Sequence, residues 1–430
     1  MHVLVLGANG FIGSRLLARL LTDGHEVRAA VRNPVRLKRR FPAIDARQVD
    51  LNRFSTTEDW RPLLAGIDAV INCAGALQSG RGQDLKAIHE RAPGALFQAC
   101  LEAKIRRVIH ISAISADPEA RTEYAITKHS AEQRLRALDL DWVVLRPSLV
   151  YAEGSHGGTS LLRALAAFPW ITPLPGSGEQ VFQPLHVDDL AKTVAVLIHE
   201  PTLSRITLEP VGPERLTLAE IVVRLRAWLG LPPAKAVPVP MGLVRAVARI
   251  GDFLSAGPLN TTSIEQIVYG NAGDPAPFTT ATGIQPRRMA DALMARPATA
   301  QDLWHARLYL LRPLLRLGLA LFWIWTAVSV LFLASRPEGY GLLRAAGVPE
   351  TMLSLSWFAG GFLDLGLGLW LLFTHRVALV GSIMLTVTAF YLFALSLAAP
   401  ELWAAPLGAL PKTLMVMLLT LVVIAVAEER

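Results

Sequence analysis

An α/β fold built on a doubly wound parallel sheet, followed by an all-α bundle of four transmembrane helices, is what this sequence predicts. Three observations predict it. Short β-rich apolar runs alternate with helical periodicity over the first three hundred residues. A glycine-punctuated turn, "GANGFIG" at 7–13, joins the first such pair. After about Gln301 charge nearly disappears for long stretches, in a chain that is 52% apolar and only 18% charged. At 430 residues the chain is too long for one ordinary core. The expected division is one domain over 1–300 and a membrane domain over 301–430.

The elements follow in order. "HVLVLG" (2–7) is an apolar run suited to a strand buried on both faces. From Phe11 to Asp23, the residues Ile12, Leu16, Leu17, Leu20 and Leu21 recur at helical spacing, and Gly24 ends the helix. "EVRAAVR" (26–32) is the next strand, which completes a βαβ unit with a right-handed crossover. Strands at "AVINCAG" (69–75), "RVIHISA" (107–113) and "WVVLRPS" (142–148) alternate with helices at 92–103 and 127–138.

The glycine turn has a chemical reading. Gly7 permits the tight turn, Gly10 lets a diphosphate approach the backbone, and Gly13 lets helix and strand pack closely. The helix N-terminus offers free N–H groups and a partial positive charge to an anion. A dinucleotide is therefore expected there. NAD-specific folds place an acid at the end of the second strand to meet the ribose 2′-OH. Here that strand ends in Arg32, and Glu26 lies at its other end. A guanidinium suits a 2′-phosphate, so NADP(H) is expected over NAD(H). The alternative is that Arg32 joins Arg36, Lys38, Arg39 and Arg40 in a solvated basic face. Asp50 and Leu51 follow a third short strand and are placed to reach the adenine ring, unless Asp50 caps the next turn.

The net charge of +7 is mostly arginine. No zinc-finger spacing, RNA-binding aromatic pattern or basic zipper accompanies it, so no nucleic acid is expected as a partner. Arginines flanking a bilayer on its cytoplasmic side account for the charge. Cys73 and Cys100 lie in apolar runs, and no Cys/His cluster has metal-ligand spacing. The opening residues lack the basic start and cleavage site of a signal peptide, so the first domain is expected to stay unexported.

"GANGFIG", "NCAG", "YAITK" and "LRPSLVY", in this order, resemble the short-chain dehydrogenase/reductase superfamily, whose fold is Rossmann-type. "PLHVDDLA" further on points to its extended and atypical branches, and the chain is similar there to an accessory subunit of respiratory complex I. The resemblance covers roughly residues 1–290. It implies NAD(P) contacts from Gly7, Asn9, Gly10, Phe11, Ile12, Gly13, Arg32, Asp50, Leu51, Ala74, Gly75, Lys128 and Pro147. It implies that Tyr124 exchanges the substrate proton, while Lys128 holds the nicotinamide ribose and lowers the tyrosine's pKa. Their one-turn spacing puts both on one helix face.

Three departures stand out. The family's serine falls in "SAIS", where alanine and isoleucine occupy the expected positions and Ser112 or Ser115 is left as substitute. His89 replaces the asparagine of a proton relay, either as a relay or as an inert residue. The loop before Tyr124 is unusually short. Further on, Asp188 or Asp189 is expected to cap a helix, beside a structural His186. The amphipathic 238–254 segment is expected to cover the substrate cleft or to lie on the membrane.

Four spans of about 20 apolar residues are expected, at 315–334, 352–373, 377–397 and 407–427. Arg307, Arg312 and Arg316 precede the first and place it with its start in the cytoplasm, and Trp357, Trp370 and Trp403 suit interfaces. The region resembles the DoxX-like family of four-helix membrane proteins. Asp364 falls mid-span and is expected to face the bundle interior or be protonated, with Gly360, Gly361, Gly366 and Gly368 allowing close helix approach. It serves either a proton or quinone contact or a plain hydrogen bond to a neighbouring helix.

The expectation is a multi-pass protein of the inner (plasma) membrane with its nucleotide domain in the cytoplasm. It would be an NADPH-preferring oxidoreductase acting on a lipophilic, membrane-held or quinone-like substrate. Two alternatives stay open. One is a non-catalytic NADP(H)-binding or redox-sensing module of a membrane complex. The other is a nucleotide-sugar epimerase or dehydratase.

Overall fold

The computed structural model describes residues 1–80, 83–120, 122–154, 156–254, 260–404 and 408–427. The chain forms two compact units, Met1–Ala306 and Arg307–Arg430.

In the first unit, strands and helices alternate as β1 (His2–Leu6), α1 (Phe11–Thr22), β2 (Glu26–Val31), α2 (Pro34–Arg40), β3 (Asp45–Gln48), α3 (Thr57–Leu64), β4 (Ala69–Asn72), α4 (Ala92–Glu102), β5 (Arg107–Ile111), α5 (Glu123–Arg136) and β6 (Asp141–Leu145). A seventh strand, Ile206–Leu208, pairs with β6. From that strand the order runs β6, β5, β4, β1, β2, β3, with every pairing parallel. This is the doubly wound sheet, and its order reverses between β1 and β4. Leu6 pairs with Asn72 across that point, so the loops after β1 and β4 leave the sheet side by side.

The period of two in the strands splits the core. Val3 and Val5 of β1 pack on one face with Leu16, Leu17 and Leu20 of α1. Leu4 and Leu6 pack on the other with Trp60, Leu96 and Phe97. All ten are fully or almost fully buried, and each such aliphatic or aromatic side chain contributes about 1.5–3 kcal/mol.

Two boundaries differ from the sequence reading. The strands stop one to three residues early, because "CAG" and "SA" turn out of the sheet as loops at its carboxyl edge. Helix α5 starts at Glu123, not at Thr127, because the Thr122 hydroxyl accepts from Ala125 N–H and caps it. Tyr124 therefore stands on the same helix as Lys128.

That helix is fastened to the sheet by one carboxylate. Glu132, wholly buried, accepts from Arg146 at 2.6 Å and from Arg136 at 3.0 Å. Ser112, just past β5, donates to it as well.

The second unit is all-α. Helix 300–333, helix 350–373 and helix Val377–Ala398 are long and apolar enough to cross a membrane. The fourth expected span is shorter, an apolar helix at Leu410–Val426, and Leu407 lies outside the described residues. The helix Arg336–Ala345, which the apolar pattern did not signal, links the first two spans. Close approach comes from Gly361 and Gly368, where a Cβ would sit 2.7 Å from Leu331 and 2.8 Å from Ile324, while Gly366 faces open space. Trp357 fills the space beside Gly339. Asp364 is buried in the bundle, 3.4 Å from the Tyr391 hydroxyl that donates to it.

Breaking a buried ion pair at one partner costs about 3–5 kcal/mol. Glu132→Ala should therefore lower the denaturant stability of the first unit by about that amount, whereas Glu350→Ala, which breaks the exposed pair Arg344–Glu350, should leave stability nearly unchanged. Denaturant titration of both variants of the full chain in detergent checks the contrast.

Candidate nucleotide and catalytic site

The site is built where the loops after β1 and β4 meet. Gly7 has φ +72°, a region that disfavours side chains, and a Cβ there would lie 2.9 Å from the Ala74 backbone. At Gly13 a Cβ would lie 2.2 Å from the Gly7 carbonyl oxygen. Both glycines are thus fixed by backbone contact within the protein. Gly10 N–H donates to Gly7 O at 2.8 Å, and Gly10 opens α1 without a side-chain cap. The free first-turn N–H groups, at Phe11, Ile12 and Gly13, are left for an anion. Asn9 is half-buried beside them. Ile12 packs against the core, and Phe11 stacks on His156 with ring centroids 4.7 Å apart.

On the adenosine side, Arg32 is exposed past the end of β2 and has no partner among the described residues. Its neighbour Asn33 is spent on capping α2, accepting from Arg36 N–H at 3.0 Å. Asp50 is drawn into its own turn: one carboxylate oxygen accepts from the Asn52 N–H at 3.1 Å and from its side-chain amide at 2.9 Å. Leu51 packs beside it against the Trp60 cluster.

The catalytic side is a chain of hydrogen bonds. Asn72 accepts from Ala74 N–H at 3.0 Å and donates to His110 Nδ1 at 3.1 Å, which shapes the "NCAG" turn. His89 Nε2 accepts from Ala76 N–H at 3.0 Å. Its proton therefore sits on Nδ1 and is donated to the Thr127 hydroxyl at 3.0 Å, which in turn donates to the Glu123 carbonyl at 2.7 Å. Both ring nitrogens are spent, and burial pushes the imidazole pKa down to about 2. Of the two roles open to His89, the relay is the one this bonding disfavours. The residue sits in a single π-turn, Ala87–Arg91, ahead of α4, and meets Tyr124 edge-on at 5.5 Å.

Lys128, buried, donates to the Ile111 carbonyl at 2.9 Å. A Cβ at Gly75 would lie 3.4 Å from both Lys128 Nζ and His89 Nε2, so the three converge on one wall. Burial lowers the ammonium pKa to about 8 and raises that of the Tyr124 phenol to about 12. Loss of water is the cause of the tyrosine's shift. The Tyr124 hydroxyl has no hydrogen-bond partner among the described residues. Burial likewise lifts the neighbouring Cys73 thiol to about 12, which keeps it neutral.

Ser112 lies just past β5, and its hydroxyl donates to Glu132 at 2.5 Å, within the buried ion-pair cluster. The Ser115 hydroxyl is buried with no partner among the described residues. Pro147 is buried and accepts from Ile114 N–H at 3.2 Å, holding the "SAIS" loop against the end of β6. Sequence reasoning missed Asn72, His110 and Thr127. Their only signal was polarity inside apolar strand and helix runs.

On the substrate side, helix Val187–Leu197 is capped by His186, whose Nδ1 accepts from Asp188 N–H at 3.2 Å. Of the two aspartates expected as caps, Asp189 binds Arg287 at 3.0 Å and the Asp188 carboxylate lies 3.9 Å from the same guanidinium. Glu153, His186 and Asp188 offer atoms near one another, but Arg287 stands 2.7 Å from His186 Nδ1 and Glu153 also pairs with Arg15, so the cluster is an ion-pair network. The 238–254 segment forms helix Met241–Leu254, and its Asp252 accepts from Gln78 at 2.9 Å, on the loop after β4. Gln266 donates to Thr122, the cap of α5, at 3.1 Å. These contacts roof the catalytic side.

A family model described as NAD(P)H-binding matches residues 7–168, and one described as a DoxX-like family matches 320–421. The ceramide reductase of Caulobacter vibrioides is 25% identical over 263 residues, covering 61% of this chain and 80% of that protein. An uncharacterized sugar epimerase of Bacillus subtilis, YhfK, is 32% identical over 208 residues, 46% of this chain and 89% of its own. The mitochondrial NADH-ubiquinone oxidoreductase 40 kDa subunit of Neurospora crassa is 25% identical over 219 residues. That match takes in 50% of this chain and 57% of the subunit's length. The glycine turn, the Tyr124–Lys128 helix and these likenesses agree: the chain belongs to the extended short-chain dehydrogenase/reductase family, as an NAD(P)-binding Rossmann domain joined to a DoxX-like membrane domain.

Proposed function

We propose that the chain is a membrane-anchored reductase that prefers NADPH and reduces the carbonyl of a lipophilic substrate. The observation that carries the reading is the protonated, unpartnered phenol of Tyr124 on the same helix as the buried Lys128 ammonium, at the mouth of the glycine turn. Gly7, Gly10 and the first turn of α1 would hold the diphosphate, Arg32 the 2′-phosphate, and Lys128 the nicotinamide ribose. The bound nucleotide supplies a hydride. Tyr124 gives its phenolic proton to the substrate oxygen as the carbonyl carbon is reduced, and regains it from solvent through Lys128. A phenol that keeps its proton until about pH 12 suits an acid in the reducing direction.

A lipophilic substrate is supported by the membrane domain and by the likeness to a ceramide reductase. The arginines ahead of the first span support a cytoplasmic nucleotide domain in the inner (plasma) membrane. A non-catalytic accessory role in a membrane complex is the second reading, favoured by the engagement of Ser112 with Glu132. Sugar epimerisation, as the name of YhfK suggests, would use the same tyrosine and lysine.

Full-length protein in vesicles containing long-chain ketones or quinones should consume NADPH. Tyr124→Phe should cut turnover about 10²–10⁴-fold with NADPH affinity unchanged. Turnover that survives the substitution removes Tyr124 from the chemistry. No turnover with any carbonyl, beside intact nucleotide binding, supports the accessory role.

Arg32→Ser should weaken NADPH binding about 10–100-fold and leave NADH binding nearly unchanged, as calorimetry would read. Equal loss for both nucleotides would assign Arg32 to the solvated basic face.

The rate should fall as pH rises through about 8, where Lys128 loses its proton, with no limb at acid pH from His89, which is neutral down to about 2. His89→Leu should lower kcat about 10–100-fold through misplacement of the Ala76 loop and α5, without adding a pH step. An imidazole limb between pH 5 and 7 in the parent enzyme would restore the relay role.

A further inference from the structure

The second unit holds a cavity of about 340 Å³, the size of a small-molecule site, among helices that are otherwise apolar. Asp364 lines it, 4% exposed, with Tyr391 as its one hydrogen-bond partner among the described residues. Trp323 lines it too, equally buried, and its indole N–H has no partner among the described residues. A buried unpartnered donor and a mid-span carboxylate in one cavity are both costly unless something answers them. A single hydroxyl answers both, since it donates to a carboxylate and accepts from an N–H. Phe322 and Leu392 supply apolar wall. Lys412 also lines the cavity, so a cationic head would meet like charge there.

We infer that this cavity binds a neutral, hydroxyl-bearing lipophile drawn from the bilayer, its hydroxyl between Asp364 and Trp323 and its apolar body against Phe322 and Leu392. The site is separate from the nucleotide site and would serve the membrane unit whether or not the first unit is a reductase.

The test uses the full chain in nanodiscs with three photoactivatable probes of equal length: an octyl alcohol, the matching hydrocarbon and the matching primary amine, each carrying a diazirine. The alcohol should label peptides of helices Ala300–Val328 and Val377–Ala398 about tenfold more than either control. Trp323→Phe, which removes only the N–H, should reduce that labelling about 3–10-fold. Leu392→Trp, which fills the cavity, should abolish it without touching the carboxylate, so the result does not depend on Asp364→Leu folding. Unchanged NADPH affinity in each variant reports an intact protein. Equal labelling by alcohol and hydrocarbon, stronger labelling by the amine, or labelling that survives both substitutions overturns the proposal.

Discussion

The structure depends on one close approach. The backbone at Gly7 lies against that of Ala74, where a single added carbon would come within 2.9 Å. That contact sets how far apart the loops after β1 and β4 can be. The first loop carries the anion-binding turn, and the second carries the wall made by Gly75 with His89 and Lys128. A parallel sheet whose order reverses between these two strands leaves a crevice at their carboxyl ends, and ligands of doubly wound folds bind there. Gly13 against Gly7 O extends the same constraint into α1 and brings the helix N-terminus up to the crevice.

Much of this was legible in the sequence, for a physical reason. A strand buried on both faces and a helix with one apolar stripe leave periodic marks, and a glycine triplet between them has few other uses. What the sequence concealed was polar bonding over distance. Ser112 stands where a catalytic hydroxyl could stand, yet Glu132, twenty residues on, claims it. His186 rather than an aspartate caps its helix, because Arg287, a hundred residues away, draws off Asp189. Asp50 reads equally as an adenine contact or a turn cap, and its oxygen is found on Asn52. Periodicity cannot report such pairings, since neither partner alters the apolar pattern.

Desolvation ties the site together chemically. Buried together, lysine and histidine hold protons less tightly and tyrosine keeps its own. Loss of water is the largest cause of all three shifts, and the charge of Lys128 adds to it at His89. An anionic nucleotide would reverse that balance by pairing with Lys128 and returning its pKa toward the ordinary range. The histidine, with both nitrogens spent, would not respond.

Anchoring such a domain beside a bilayer changes the concentration its site experiences. A lipophile partitions into the membrane, so a free enzyme would meet it rarely, and a tethered one meets it at an effective concentration set by the tether. The roof over the catalytic side is consistent with this arrangement. Helix Met241–Leu254 is bound to the loop after β4 through Asp252, while Leu243, Val247 and Ile250, spaced three to four residues apart, remain exposed. An apolar stripe of that spacing on a helix with Arg245 and Arg249 can lower itself toward an anionic surface.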